Sequence, residues 1–447
     1  MNRISLFLCL GLLAACGDDG SEPIDPPIDP PPGSNVVRLV DDISSNTTFT
    51  ADKTYVVPRL KSLFVKPGVT LTIQPGTVIQ GEEGSIFVVT RGAKLLAEGT
   101  AAKPIVFTSA QAEGQKRRGT WGGVLILGSA PININKLSVP ASDEAVFEAF
   151  PSSIPEGKFG GTNPADNSGV LKYVRIEFAG FNYVADREFN NLTLAGVGSG
   201  TVIDYVQLHG GSDDGIEFFG GTVNAKHLLV SQNGDDGFDS DNGYNGKIQF
   251  LIVQNITPDG AREASNGYET DNHGTAASYD AEPRTKPTIY NATFVGDKDY
   301  TAGTSFAGVF RRGTSGHYYN HVFMNFAKGI EFRDVATKAQ LDAGNLFIKS
   351  SLFFQAPAPA PQATGDIDEA AYLGVAANNN RVDVDPGIPG MTNKTSPSFK
   401  PMAAAAALTG GATPPNDGFF DTTATFVGAM GADDWTTGWT AFPQPAN

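Results

Sequence analysis

Between Thr201 and Asn255 the chain repeats itself. TVIDYVQLHGGSDDGIEFFGG is followed by TVNAKHLLVSQNGDDGFDSDNGYNG and then by KIQFLIVQN. Asp213-Asp214-Gly215 returns 22 residues later as Asp235-Asp236-Gly237, each time between an apolar strand and a shorter one. A period of that size, built from strands with Gly and Asn at the corners, predicts a parallel β-helix, in which each repeat is one turn of a solenoid.

Composition agrees with many short strands and tight corners: 52 Gly, 29 Pro and 29 Phe against 5 Met, with 18% charged residues in 447. Such a solenoid folds as one unit at lengths where globular chains divide into domains. The formal charge of −16 excludes nucleic acid as a partner, which needs a basic footprint. It suits divalent cations, and it also suits plain solubility. Both cysteines fall within the first sixteen residues, so the body is expected to hold together by its stacked core and not by disulfides.

The first fifteen residues carry Arg3 and then an apolar run from Ile4 to Leu13. That run is too short to span a bilayer and reads as a signal peptide. It ends in Leu13-Ala14-Ala15-Cys16, which resembles the bacterial lipobox. The resemblance implies cleavage before Cys16 and acylation of that residue, hence a lipid anchor in the cell envelope, at the outer membrane, on its periplasmic or its surface side. Residues 16–35 include SEPIDPPIDPPPGSN, whose proline density forms a stiff extended tether.

From Val36 short strands alternate with KPG and QPG corners, where proline fixes φ and the next glycine supplies a positive one. The β-helix is expected over 36–355. Excursions are expected at Ser129–Ser168, Thr257–Pro287, Gly296–Ser305 and Val335–Gly344, the last with a turn or two of helix. The stretch 356–447 is irregular and ends in an aromatic-rich run through Trp435, Trp439 and Phe442, read as a cap, because an uncovered last rung exposes strand edges.

Four blocks carry a family resemblance: AEGTAAKPIVFTS (97–109), TWGGVLILG (120–128), LKYVRIEFAG through GYNGKIQF (171–250), and Gly428-Ala429-Met430 with Asp434-Trp435 and Gly438-Trp439. On these the chain resembles a family of bacterial lipoproteins with a right-handed, pectin-lyase-like parallel β-helix and no agreed activity. The resemblance implies the all-β solenoid fold and supplies no catalytic residues.

Aligning repeats on the glycine before the second strand predicts which residues share a face, since side chains alternate along a strand. With Ile216, Phe238, Tyr268, Val309 and Ile330 inward, one outward column holds Glu217, Asp239, Glu269, Phe310 and Glu331. A second holds Phe219, Asp241, Asp271, Arg312 and Arg333. Rungs sit about 4.8 Å apart, so Asp239, Asp241, Glu269 and Asp271 form a square of carboxylates. Like charges that close raise one another's pKa or take a cation, and hard oxygen ligands select Ca²⁺, with Asp235 and Asp236 available to complete its shell. The same residues have a plainer reading: Asp-Asp-Gly is ordinary turn chemistry, Asn233 and Asn255 suit an internal Asn ladder, and outward acids discourage strand pairing.

Two functions follow. One is a structural or ligand-binding envelope protein that engages glycan or protein, because no Ser/His/Asp spacing, metal-binding His pair or phosphate loop is present. The other is a polysaccharide lyase or glycoside hydrolase acting on acidic polysaccharide. For it Asp213, Asp214, Asp235 and Asp236 with Arg311, Arg312 and Arg333 are the candidate catalytic groups.

Overall fold

The computed structural model describes residues 34–446 apart from 139, 185–186, 257–265, 300–304 and 359–366. The leader, Cys16 and most of the tether lie outside the described residues. The rest winds into a right-handed parallel β-helix. One face is a nine-stranded parallel sheet that runs from Ser62–Val65 through Ile86–Val89, Val124–Leu127, Leu192–Ala195, Ile216–Phe219, Phe238–Asp241, Tyr268–Thr270 and Phe306–Phe310 to Lys328–Phe332. We call it the short-strand face. A second, sixteen-stranded sheet supplies the other two sides.

Those two sides are continuous because each long strand bends at one residue. Tyr173, Tyr205, His227, Phe250, Asn291, Asn320 and Ser350 stand at successive bends with φ between 49° and 65°. The strands pair on either side of them, as in Lys172 with Asp204 and Val174 with Val206. Non-glycine residues in this region carry steric strain. Here ring stacking offsets it: Tyr173 on Tyr205 at 4.5 Å, Tyr205 on His227 at 4.1 Å and His227 on Phe250 at 4.9 Å. Aromatic pairs of this kind contribute about 0.5–1.5 kcal/mol each.

The interior is filled by inward residues of every rung, such as Leu171, Val174 and Ile176, then Ile203, Val206 and Leu208, then Ala225, Leu228 and Val230. Trp121 is wholly buried and donates Nε1–H to the Glu177 carbonyl at 2.9 Å. Gly81 makes room for it, since a Cβ there would stand 2.7 Å from the indole ring.

The excursion at 129–168 folds back as a small antiparallel pair, Glu144–Val146 with Lys158–Gly160. Its Phe147, Phe150 and Phe159 pack on Phe64, Phe189 and Phe219 outside the short-strand face. Helix Val335–Asp342 forms at the predicted TKAQLDAG run, N-capped by Asp334, whose side chain accepts from Thr337 N–H.

The last 90 residues do two things. Ile367 and Leu373, the latter in helix Glu369–Leu373, join the core and close its C-terminal end. The aromatic tail lies elsewhere, running back over the outside of the long sheet toward earlier rungs. Val427, Ala429 and Met430 cover Leu229, Ile252, Val295 and Val322. Side-chain amides clamp its backbone: Asn320 to Ala412 (2.8 and 2.7 Å), Gln249 to Asp421 (3.2 and 2.7 Å) and Gln207 to Ala441 (2.6 and 2.9 Å). Trp439 meets Tyr173 and Tyr205 edge-on.

Candidate functional site

The two Asp-Asp-Gly turns lead directly into the strands Ile216–Phe219 and Phe238–Asp241. Ile216 and Phe238 face the core, and Glu217 and Asp239 pair in register on the outer side. The next rung keeps this register across the long insertion, with Asp239 opposite Glu269.

One rung further the expected register shifts by a residue. Gly308, not Val309, lies opposite Tyr268, and Val309 lies opposite Glu269. The cause is burial. The shift places the Phe310 ring in the core against Tyr318 and Phe332, at 5.1 and 5.4 Å, and an aromatic ring removes more apolar surface from water than valine. Gly308 fits because the Phe310 ring and the Tyr268 Cβ stand over it; a Cβ would lie 3.1 Å from Phe310 Cε2 and 3.3 Å from Tyr268 Cβ. The outer column is therefore Glu217, Asp239, Glu269, Val309 and Glu331. Phe310 leaves it, and Arg311 takes the place beside Asp271 that was expected for Arg312.

The four carboxylates of the expected square are not equivalent. Arg311 bonds Glu269 through Nη2 and Asp271 through Nε, the latter at 2.8 Å, and Arg312 Nη1 reaches Asp271 at 2.6 Å. Half the square is thus neutralised by guanidinium groups. Burial acts to lower the Arg311 pKa, but Asp271 and Glu269 beside it raise it overall. Arg333 pairs with Glu331.

Asp239 instead looks toward the preceding rung. Carboxylate oxygens of Asp214, Glu217 and Asp239 lie within 4.8 Å of one another, and those of Asp213, Asp214 and Asp235 form a second such group that shares Asp214. Burial pushes Asp214, Glu217 and Asp239 well above the usual carboxylate range, and neighbouring acids add to it: Asp213 on Asp214, Glu148 and Asp213 on Glu217, Glu217 and Glu269 on Asp239. Asp236 is raised for the same reasons, burial and then Asp235. Asp241 rises to about 7 through burial and then Asp271.

Hydrogen bonds satisfy some of these oxygens. Asp214 accepts from Asp236 N–H at 2.9 Å, Asp236 accepts from Asn266 N–H, and Glu217 Oε2 accepts from Asn190 Nδ2 at 2.6 Å. Among the described residues, the buried Asp239 Oδ1 and Asn190 Oδ1 find no partner. Asn191 Nδ2 bonds Asn233 Oδ1 at 2.9 Å inside the same corner, whereas Asn255, expected in a ladder with Asn233, gives its Nδ2 to the Asn266 carbonyl at 2.7 Å.

Asn190 and Glu148 were not legible as site residues, because one comes from the rung before the repeat and the other from the inserted excursion. Glu217 stood in the predicted column without being assigned a ligand role. All the remaining sequence-derived acids fall on this one stretch of surface. A divalent cation fits the residues present: all are hard oxygen donors, and one buried carboxylate oxygen lacks any partner. Asp214, Glu217 and Asp239 would hold it, with Asp213 and Asp235 adjoining.

Fold and site together define a right-handed parallel β-helix with a buried acidic corner on its short-strand face. Residues 41–440 match a family described as "Pectate-lyase like beta helix domain", and the chain belongs to that family. A solved structure titled "Crystal structure of pectate lyase Pel9A" is similar at 14% identity and a TM-score of 0.39, over 88% of this chain and 98% of that one. No curated protein matches.

Proposed function

We propose that this is a bacterial envelope lipoprotein, anchored to the outer membrane through acylated Cys16, whose β-helix binds an acidic glycan at a Ca²⁺ centre formed by Asp214, Glu217 and Asp239. The observation that carries the reading is the buried Asp239 Oδ1, without a partner in a cluster of carboxylates. Unpaired buried acids are costly, and a bound divalent cation would offset the cost while leaving positions for sugar carboxylates. Arg311 and Arg312, two rungs beyond Asp239, and Arg333, three rungs beyond it, extend the strip with groups suited to carboxylates.

Binding is favoured over cleavage for a chemical reason. A lyase must take the proton from the carbon next to the uronate carboxyl as the glycosidic C–O bond breaks. Arg311 is held protonated by Asp271 and Glu269, and Arg312 and Arg333 are both ion-paired, so none of them is free as a base. The family match favours the lyase as the second reading. Incubation with polygalacturonate and alginate separates them: Ca²⁺-dependent retention without products supports binding, and unsaturated sugars absorbing in the ultraviolet support the lyase. Neither result, with a melting temperature indifferent to Ca²⁺ and EDTA, refutes the site. Labelled palmitate lost in Cys16→Ala tests the anchor.

A further inference from the structure

Beside the acidic corner stands a hairpin that the repeat does not require. Strands Asn182–Val184 and Arg187–Glu188 leave the rung between the bend at Phe178 and strand Leu192–Ala195. Both feet of this hairpin are fastened to the site. At one, Ser212 Oγ donates to the Gly180 carbonyl at 2.9 Å, immediately before Asp213. At the other, Asn190 donates to Glu217 at 2.6 Å. The hairpin therefore rises from the margin of the carboxylate cluster itself.

Tyr183 is 52% exposed on it. Its ring meets the buried Phe189 edge-on at 6.3 Å, and Phe189 is stacked on Phe147 at 5.9 Å within the apolar cluster of the excursion. The tyrosine is thus supported on one side by Phe189 while about half of the residue is open to solvent. An aromatic ring of this kind offers a large, amphipathic contact area at small conformational cost.

We infer that Tyr183 is a stacking platform for one sugar ring of an acidic glycan, placed so that a carboxylate of the same chain meets the cluster of Asp214, Glu217 and Asp239. The inference rests on the glycan-binding reading above and adds a position and a recognition element to it. From Glu217 to Glu331 the outer column covers four rung steps, about 19 Å, so Tyr183 marks one end of a strip long enough for a short oligosaccharide. The ring's apolar face selects a pyranose face, and the cluster and the arginines select its charge.

The test is affinity electrophoresis of the full chain through gels with polygalacturonate or alginate in Ca²⁺, with melting temperatures measured in parallel. Tyr183→Ala is expected to weaken retention roughly threefold to tenfold and Tyr183→Phe to preserve it, with the Ca²⁺-induced rise in melting temperature unchanged in both. Retention of Tyr183→Ala equal to that of the wild type overturns the platform and leaves the cation centre standing. A wild type stabilised by Ca²⁺ but retained by neither polyuronate also overturns the platform while sparing the cation centre. Indifference to Ca²⁺ in every variant overturns the underlying reading and the platform with it.

Discussion

Replacing Asp239 by asparagine is expected to have opposite effects with and without divalent cation. Asp239 pairs with Glu217 on one side and Glu269 on the other, and its oxygens approach those of Asp214. Two unit charges about 5 Å apart repel by about 3 kcal/mol at an effective dielectric constant of 20. Arg311 already compensates Glu269, and burial with the neighbouring acids favours the protonated forms of Asp214, Glu217 and Asp239. About 1–2 kcal/mol of relief therefore remains at pH 8. In EDTA the variant should melt about 1–2 °C above the wild type. In Ca²⁺ at a hundredfold excess over its Kd the wild type gains about 2.7 kcal/mol, and the variant loses most of that gain, so the order reverses. Differential scanning calorimetry in both buffers reads this directly. A variant less stable by the same amount in both, or a wild type that ignores Ca²⁺, would show that Asp239 serves the fold alone.

Asp241 sets a pH dependence. Its folded pKa of about 7 lies above the ordinary 3.8, so its contribution is complete below pH 4 and is lost as pH rises through 7. The full shift corresponds to about 4 kcal/mol, and partial exposure of the residue reduces this to about 2 kcal/mol. Melting temperature in EDTA should fall between pH 5 and pH 8, and a rise over that range would contradict the assignment. Arg311→Ala leaves Glu269 buried without its partner and Asp271 with Arg312 alone, and should cost about 3–5 kcal/mol, read by chemical denaturation. Trp439→Ala removes a ring that is 1% exposed and should cost about 3–5 kcal/mol, while deletion from residue 420 onward uncovers Leu229, Ile252, Val295 and Val322 and should produce self-association on size exclusion.

Much of this was legible because a solenoid turns local spacing into three-dimensional proximity. The glycine, the inward aromatic and the outward acid recur at Gly237 and Gly267, and that pattern alone brought Asp239 beside Glu269 across thirty residues of sequence. It failed at Gly308, where Val309 and Phe310 are adjacent apolar residues and only the core's preference for the larger ring decides between them. The pairing of Arg311 with both Glu269 and Asp271 follows from that one-residue shift. The tail was opaque for a different reason. Its tryptophans announce burial, but Gln207 with Ala441 and Arg175 with Trp439 join residues more than 230 positions apart, and no periodicity links them.

The amide clamps along Gln207, Gln249 and Asn320 also order events in time. Rungs made early by the ribosome wait, with their outer apolar strip open, for a segment that is synthesised after them. The clamps on those rungs close only once the stretch from Ala412 to Ala441 has been made. Looseness during synthesis and rigidity afterwards thereby belong to the same molecule at different moments, with residues 412–441 as the latch between them.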